Sequence, residues 1–126
     1  MKIYGVGTDI IYNSRIKKNI KNKNFLKRVF TKEEIKTGNK IKNNIMYFSK
    51  RFAAKEAFVK ALGTGFRDNI SLNSISIYND SKGKPFIKCD KNLKKKIEYL
   101  TKKRKYNIHL SLADEKDYSV AFVIIQ

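Results

Sequence analysis

Glu56 and Lys60 stand four residues apart, with Phe52 one turn before Glu56 and Ser49 a turn earlier still. On a helix these side chains share one face, and Arg51 and Lys55 flank the stripe. A lone carboxylate among cations suits a divalent metal beside a phosphorylated ligand. Mg²⁺ typically takes one or two protein carboxylates and completes its shell with phosphate and water oxygens. The same spacing has a plain structural use, since an i, i+4 Glu–Lys pair stabilises a helix by about 0.2–0.5 kcal/mol. Asp9 is the second carboxylate of interest. It follows Gly7-Thr8 at or just past the expected end of a first strand, where an acid either faces an open cleft or closes an Asx turn or helix N-cap. Two glycine pairs are less specific: Gly5-Val6-Gly7 lacks the third glycine of a dinucleotide fold, and Gly63-Thr64-Gly65 lacks the Lys-Ser/Thr ending of a P-loop.

These residues need a scaffold, and the pattern supplies one. Lys2 to Val6 reads as a short strand ended by Gly7. From Asn13 to about Asn44 apolar residues recur at helical spacing, at Ile16, Ile20, Phe25, Leu26, Val29 and Phe30. Thr31-Lys32-Glu33-Glu34 has the form of an N-cap and acidic first turn, and Gly38-Asn39 is placed to close that helix. Tyr47 to Leu62 is the strongest helix, with Gly63-Thr64-Gly65 as its stop and Phe48, Phe52, Phe58 and Leu62 as its packing residues. Alternating runs at 72–78 and 85–89 around the turn-rich 79–84 predict a β-hairpin. Leu93, Ile97 and Leu100 mark a basic amphipathic helix over 92–103. Strands at 108–112 and 118–125 form a second hairpin through the acidic 113–117 turn. The last strand is apolar at nearly every position, which predicts burial on both faces, and in a chain this short another subunit could supply one of the covers.

The chain has 126 residues, enough for one core, and is read as a single domain over 1–126. Its 41% hydrophobic content excludes a disordered tail despite 32% charged residues. One cysteine, Cys89, excludes an intrachain disulfide, and with the one histidine, His109, it cannot build a Cys/His zinc site in a monomer. A reducing, cytoplasmic setting is expected, and no run approaches the roughly 18–20 apolar residues that span a bilayer. The net charge of +18 invites a polyanionic partner. However, 24 of the 29 basic residues are lysine, interleaved with Asn and Ile as in 16–24, a bias that drift toward A/T-rich codons also produces. Sequence-specific nucleic-acid readers favour arginine.

Four blocks then occur in order: Tyr4-Gly5-Val6-Gly7-Thr8-Asp9-Ile10, the run from Arg51-Phe52-Ala53-Ala54-Lys55-Glu56-Ala57 through Gly63-Thr64-Gly65, Gly83-Lys84-Pro85, and His109-Leu110-Ser111-Leu112. Together they resemble the bacterial-type 4′-phosphopantetheinyl transferases, the holo-[acyl-carrier-protein] synthase family, from the first strand to the last. The second block is the most specific. The resemblance implies an α+β fold, a small antiparallel β-sheet packed with helices including one long central helix. It implies a homotrimer with sites between subunits, Mg²⁺ as metal, and coenzyme A as donor of phosphopantetheine to a serine of apo acyl carrier protein. By motif, Asp9 and Glu56 become the metal carboxylates, and Lys60 contacts the pyrophosphate and stabilises charge in the transition state. Arg51, Lys55, Gly63, Thr64, Gly65, Pro85 and His109 fall in the family's coenzyme A region. Arg15, Phe25 and Arg28 match its carrier-docking positions. Either a metal-held water or Glu56 itself would take the serine proton.

Two departures stand out. Tyr12 occupies a position where the family usually has an acid, and Ala113-Asp114 replaces a second hydroxyl and a frequent second histidine. They leave open an inactive relative with the same fold. A basic RNA- or ribosome-binding protein would account for the charge but not for Asp9 and Glu56, so no nucleic-acid or membrane partner is expected.

Overall fold

The computed structural model describes residues 2–64 and 70–126. In chain order the elements are β1 (Gly5–Tyr12), α1 (Asn13–Asn19), α2 (Lys23–Val29), α3 (Lys32–Asn39), α4 (Ile45–Leu62), a 3-10 turn (Leu72–Ser74), β2 (Ile75–Asn79), β3 (Pro85–Cys89), α5 (Lys91–Thr101), β4 (Ile108–Asp114) and β5 (Tyr118–Ile125). Among the described residues the sheets are a three-stranded one in the order β1-β5-β4 and the β2-β3 hairpin, all antiparallel. The architecture is α+β with α4 at its centre.

Local chemistry accounts for most boundaries. Asn22 caps α2 by accepting from the amides of Asn24 and Phe25. Thr31 and Glu34 form a complete capping box, so the apolar run after Asn13 breaks into three helices. The long helix ends where Gly63 adopts φ 78°, a conformation that costs glycine nothing. On α5, Asp90 accepts from the amide of Leu93.

The first strand is longer than its composition suggests. Gly7 does not end it, because β1 pairs with β5 along its whole length, from Gly5 opposite Ile125 to Tyr12 opposite Tyr118. Asp9 therefore lies inside a strand and not in a turn. Gly5 and Gly7 serve a different purpose: a Cβ on either would run into the carbonyl of Ala61 or Ala57 on α4. Ala53, Ala54, Ala57 and Ala61 are all buried, so helix and sheet meet almost backbone to backbone. The first hairpin is also shorter than the alternation predicts, as Leu72–Ser74 winds into the 3-10 turn.

The inner face of the three-stranded sheet, with Ile11, Ala121, Val123 and Ile125, packs on α4. The outer face is uncovered within the chain: Val6 is 51%, Ile10 63% and Phe122 43% exposed. The sequence expects β5 to be buried on both sides, and one chain supplies only one of them. No helix among the described residues is long and apolar enough to cross a membrane.

Gly7→Ala must push α4 off the sheet. Overpacking of this kind costs about 1–3 kcal/mol, so urea unfolding should show a loss of that size, whereas Gly63→Ala meets no neighbour but must hold alanine at φ 78°, a backbone strain of about 1–2 kcal/mol.

Candidate active site

Odd-numbered residues of β1 face α4, which places Asp9 beneath the helix where Glu56 and Lys60 project. The Lys60 ammonium donates to Asp9 Oδ1 at 3.1 Å and to the Thr8 carbonyl at 3.0 Å. Glu56 lies one turn earlier and is half-buried. Burial, and then the nearby Asp9 carboxylate, push its carboxyl above the ordinary range, while Lys60 and Arg15 pull the other way. Arg15 is thus close enough to be felt at Glu56. Its helix, α1, is held by Asn13, a buried residue that sequence reasoning passed over. Asn13 donates to the Glu115 and Lys116 carbonyls at 3.2 Å, accepts from the Ser119 hydroxyl at 2.8 Å, and gives its backbone amide to Asp117.

Asp9, Arg15, Glu56 and Lys60 therefore converge at one place. Among the described residues no group of three His, Cys, Asp or Glu side chains gathers to form a complete cage. Two neighbouring carboxylates offer hard oxygen donors, the kind that suit Mg²⁺ when phosphate and water supply the rest. A cation between them would also relieve the repulsion that raises Glu56.

Arg51 lies elsewhere. It is five residues before Glu56, about 140° around the helix, and 8% exposed. Its guanidinium stacks 3.6 Å from the Tyr47 ring centroid and donates through Nη2 to Asn79 Oδ1 at 2.8 Å. Its Nε is buried without a partner among the described residues. Burial lowers its pKa. A cavity of about 300 Å³ opens beside it, lined also by Glu33, Thr37, Tyr47, Ser76 and Asn79. Pro85 pairs with Asn79 across the hairpin, so it sits near this cavity.

Lys55 departs from expectation. Its side chain is fully buried, and its ammonium donates to the Val29 carbonyl at 2.7 Å and to Glu34, which is itself 2% exposed. Burial lowers its pKa to about 8 against the opposing pull of Glu34. With both partners inside the protein, the ammonium is not presented to a ligand. Glu34 shows in sequence only as a first-turn acid; nothing local announces its burial.

The remaining positions scatter. His109 is exposed on β4, in register with Ile124 and through it with Val6, on the sheet face turned away from α4. Phe25 packs its ring on Phe52 at 6.3 Å and on Phe30 at 6.2 Å, while Arg28 of the same helix is exposed. Gly63 caps α4, Thr64 follows it, and Gly65 lies outside the described residues.

Comparison with known proteins gives this arrangement a context. Residues 5–123 match the family model of the 4′-phosphopantetheinyl transferase superfamily. The chain is 53% identical to a holo-[acyl-carrier-protein] synthase of Pelagibacter ubique over 100% of this chain and 98% of that one. It is 47% identical to the protein of the same name from Wolbachia pipientis, covering 98% and 97%. Among solved structures, the holo-[acyl-carrier-protein] synthase of Neisseria meningitidis superposes with a TM-score of 0.87 at 40% identity, covering 99% of both chains. That of Bacillus anthracis, in complex with CoA (3′,5′-ADP), gives 0.81 at 32% identity over 98% and 96%.

The Asp9–Lys60 ion pair leaves Lys60 more than half exposed. Exposed pairs contribute little, so Lys60→Ala should shift unfolding free energy by less than about 1 kcal/mol in urea titration, and any larger functional loss is then chemical.

Proposed function

The chain belongs to the 4′-phosphopantetheinyl transferase superfamily and is an enzyme of that class, and we propose that it moves 4′-phosphopantetheine from coenzyme A to a serine of apo acyl carrier protein, with Mg²⁺, releasing 3′,5′-ADP. The observation that carries this reading is the convergence of Asp9, Glu56 and Lys60 at the contact between β1 and α4. It is supported by the relatives' shared name and by the coenzyme A complex of the Bacillus anthracis enzyme. Fatty acid biosynthesis in the cytoplasm is the setting we assign to it.

In the reaction the serine oxygen forms a bond to the phosphorus next to pantetheine, the bond to the 3′,5′-ADP oxygen breaks, and the serine loses its proton. Phosphoryl chemistry of this kind depends mainly on positioning and charge stabilisation. Asp9 and Glu56 would hold the Mg²⁺, which when bound neutralises pyrophosphate charge. The Lys60 ammonium, fixed by Asp9 and the Thr8 carbonyl, would stabilise the charge that develops on the departing 5′-phosphate of 3′,5′-ADP. Glu56, or a water it orients, receives the serine proton. Arg51, whose Nε has no partner among the described residues and which borders a cavity, is suited to a phosphate or ribose oxygen of coenzyme A, with Pro85 close by.

Two features favour a homotrimer with sites between subunits. Asp9 and His109 occupy opposite faces of the same sheet, so one chain cannot bring both to one ligand. The outer face that bears His109 also exposes Val6, Ile10 and Phe122, an apolar surface that a neighbouring copy would cover. Arg15, exposed beside Glu56, and Phe25 and Arg28 on α2 would receive the carrier. Acyl carrier proteins are acidic, so a basic approach surface steers encounter.

Intact-mass spectrometry of apo carrier with coenzyme A and Mg²⁺ should show a gain of one phosphopantetheine, abolished by chelator. No gain from the folded protein overturns the reading. Asp9→Asn and Glu56→Gln should each lower the rate by about a hundredfold or more while leaving the fold intact by circular dichroism. Arg15→Glu should raise KM for the carrier about tenfold and leave that for coenzyme A unchanged. Sedimentation equilibrium should return three times the 14.7 kDa chain mass, and a monomer would remove the shared-site arrangement.

A further inference from the structure

The buried Lys55–Glu34 pair joins four elements. The Lys55 ammonium, on α4, donates to the carbonyl of Val29, the last residue of α2, and to Glu34 Oε1 on α3. The same oxygen accepts from the Thr31 amide at 2.8 Å, and Glu34 Oε2 accepts from the Ile77 amide of β2 at 3.1 Å. The Phe30 ring covers the ammonium at 5.1 Å. Both side chains are closed to solvent.

Stability alone does not call for such a pair. Apolar residues of similar volume in place of a buried ion pair are often neutral or stabilising. An apolar pair cannot, however, hold one chosen carbonyl and two chosen amides at fixed directions. The carbonyl held here ends the helix that carries Phe25 and Arg28, and the residue holding it directly precedes Glu56. A slip of α2 along α4 would change the spacing between the carrier-docking side chains and the reacting centre. Misplacement of about 1 Å can cost on the order of a hundredfold in rate.

We propose that Lys55 and Glu34 are positioning residues that lock α2 in register with Glu56 and so set where the carrier's serine meets the donor, with neither side chain touching coenzyme A. The inference rests on the assignment of α2 to carrier docking.

Lys55→Met alone strands a buried carboxylate and is expected to unfold readily, so the decisive variant is Lys55→Met/Glu34→Gln, which removes both charges. Glutamine keeps one acceptor oxygen for the Thr31 amide and leaves the Ile77 amide without one, so the melting temperature should fall by several degrees. The variant should nonetheless stay folded by circular dichroism and bind coenzyme A within about threefold by calorimetry, yet raise KM for the carrier about tenfold. Hydrogen exchange provides a readout free of activity: amides of α2 should exchange about tenfold faster than in the parent, and those of α5 at the parental rate. Parental KM for the carrier with parental α2 exchange overturns the proposal. So does a loss of coenzyme A affinity equal to the rise in KM, which would return Lys55 to the ligand. If the parent transfers nothing, it is the functional assignment that fails, and α2 exchange then decides whether the pair is a lock.

Discussion

The backbone of β1 lies against α4 with no side chain between them at Gly5 and Gly7, and the helix answers with Ala57 and Ala61. Every distance at the candidate site follows from this contact. A larger residue at any of the four positions would lift the helix from the strand. Because the two backbones are this close, a lysine of α4 can reach both the side chain of Asp9 and the carbonyl of Thr8 on the strand below. The contact also half-buries Glu56 beside Asp9, where both burial and repulsion act against its charge. Small residues thus create the electrostatics of the large ones.

A second layer of order comes from polar groups inside the protein. Lys55, Glu34, Arg51 and Asn13 would each be costly to bury alone, and each meets partners from distant parts of the chain. Asn13 fixes the start of α1 to the β4–β5 turn, Arg51 ties α4 to the β2-β3 hairpin, and the Lys55–Glu34 pair ties α2 and α3 to both. Hydrogen bonds have direction where apolar packing has little, so these contacts determine orientation more than they determine stability. The helices that would receive a carrier and the hairpin beside the Arg51 cavity are both referred to α4 in this way.

The two faces of the three-stranded sheet differ in what they leave unfinished. The inner face is closed by α4. The outer one exposes Val6, Ile10 and Phe122 beside His109, and an apolar surface of that kind gains by burial against a second copy. The distribution of charge has a corresponding logic. Lysine crowds the exposed helices, while Arg51, Lys55 and Lys60, each bonded to a side chain of another element, stand together on α4. Counting cations alone does not separate these two populations.

Much of the scaffold was legible in the sequence because its signals are local. Thr31 and Glu34 make their capping box within one helical turn, Gly63 stops α4 by its own backbone freedom, and both hairpins follow alternation and turn chemistry. The i, i+4 spacing of Glu56 and Lys60 likewise puts them on one face of any helix. Tertiary structure decided what depends on contacts far apart in the chain. Pairing with β5 extended β1 past Gly7 and put Asp9 inside a strand; packing turned Lys55 inward to meet Glu34, and strand register set His109 on the face opposite Asp9. Residue type and spacing determine which groups can share a turn or a face. Which groups meet across the fold depends on burial and register, and those exist only once the chain has closed on itself.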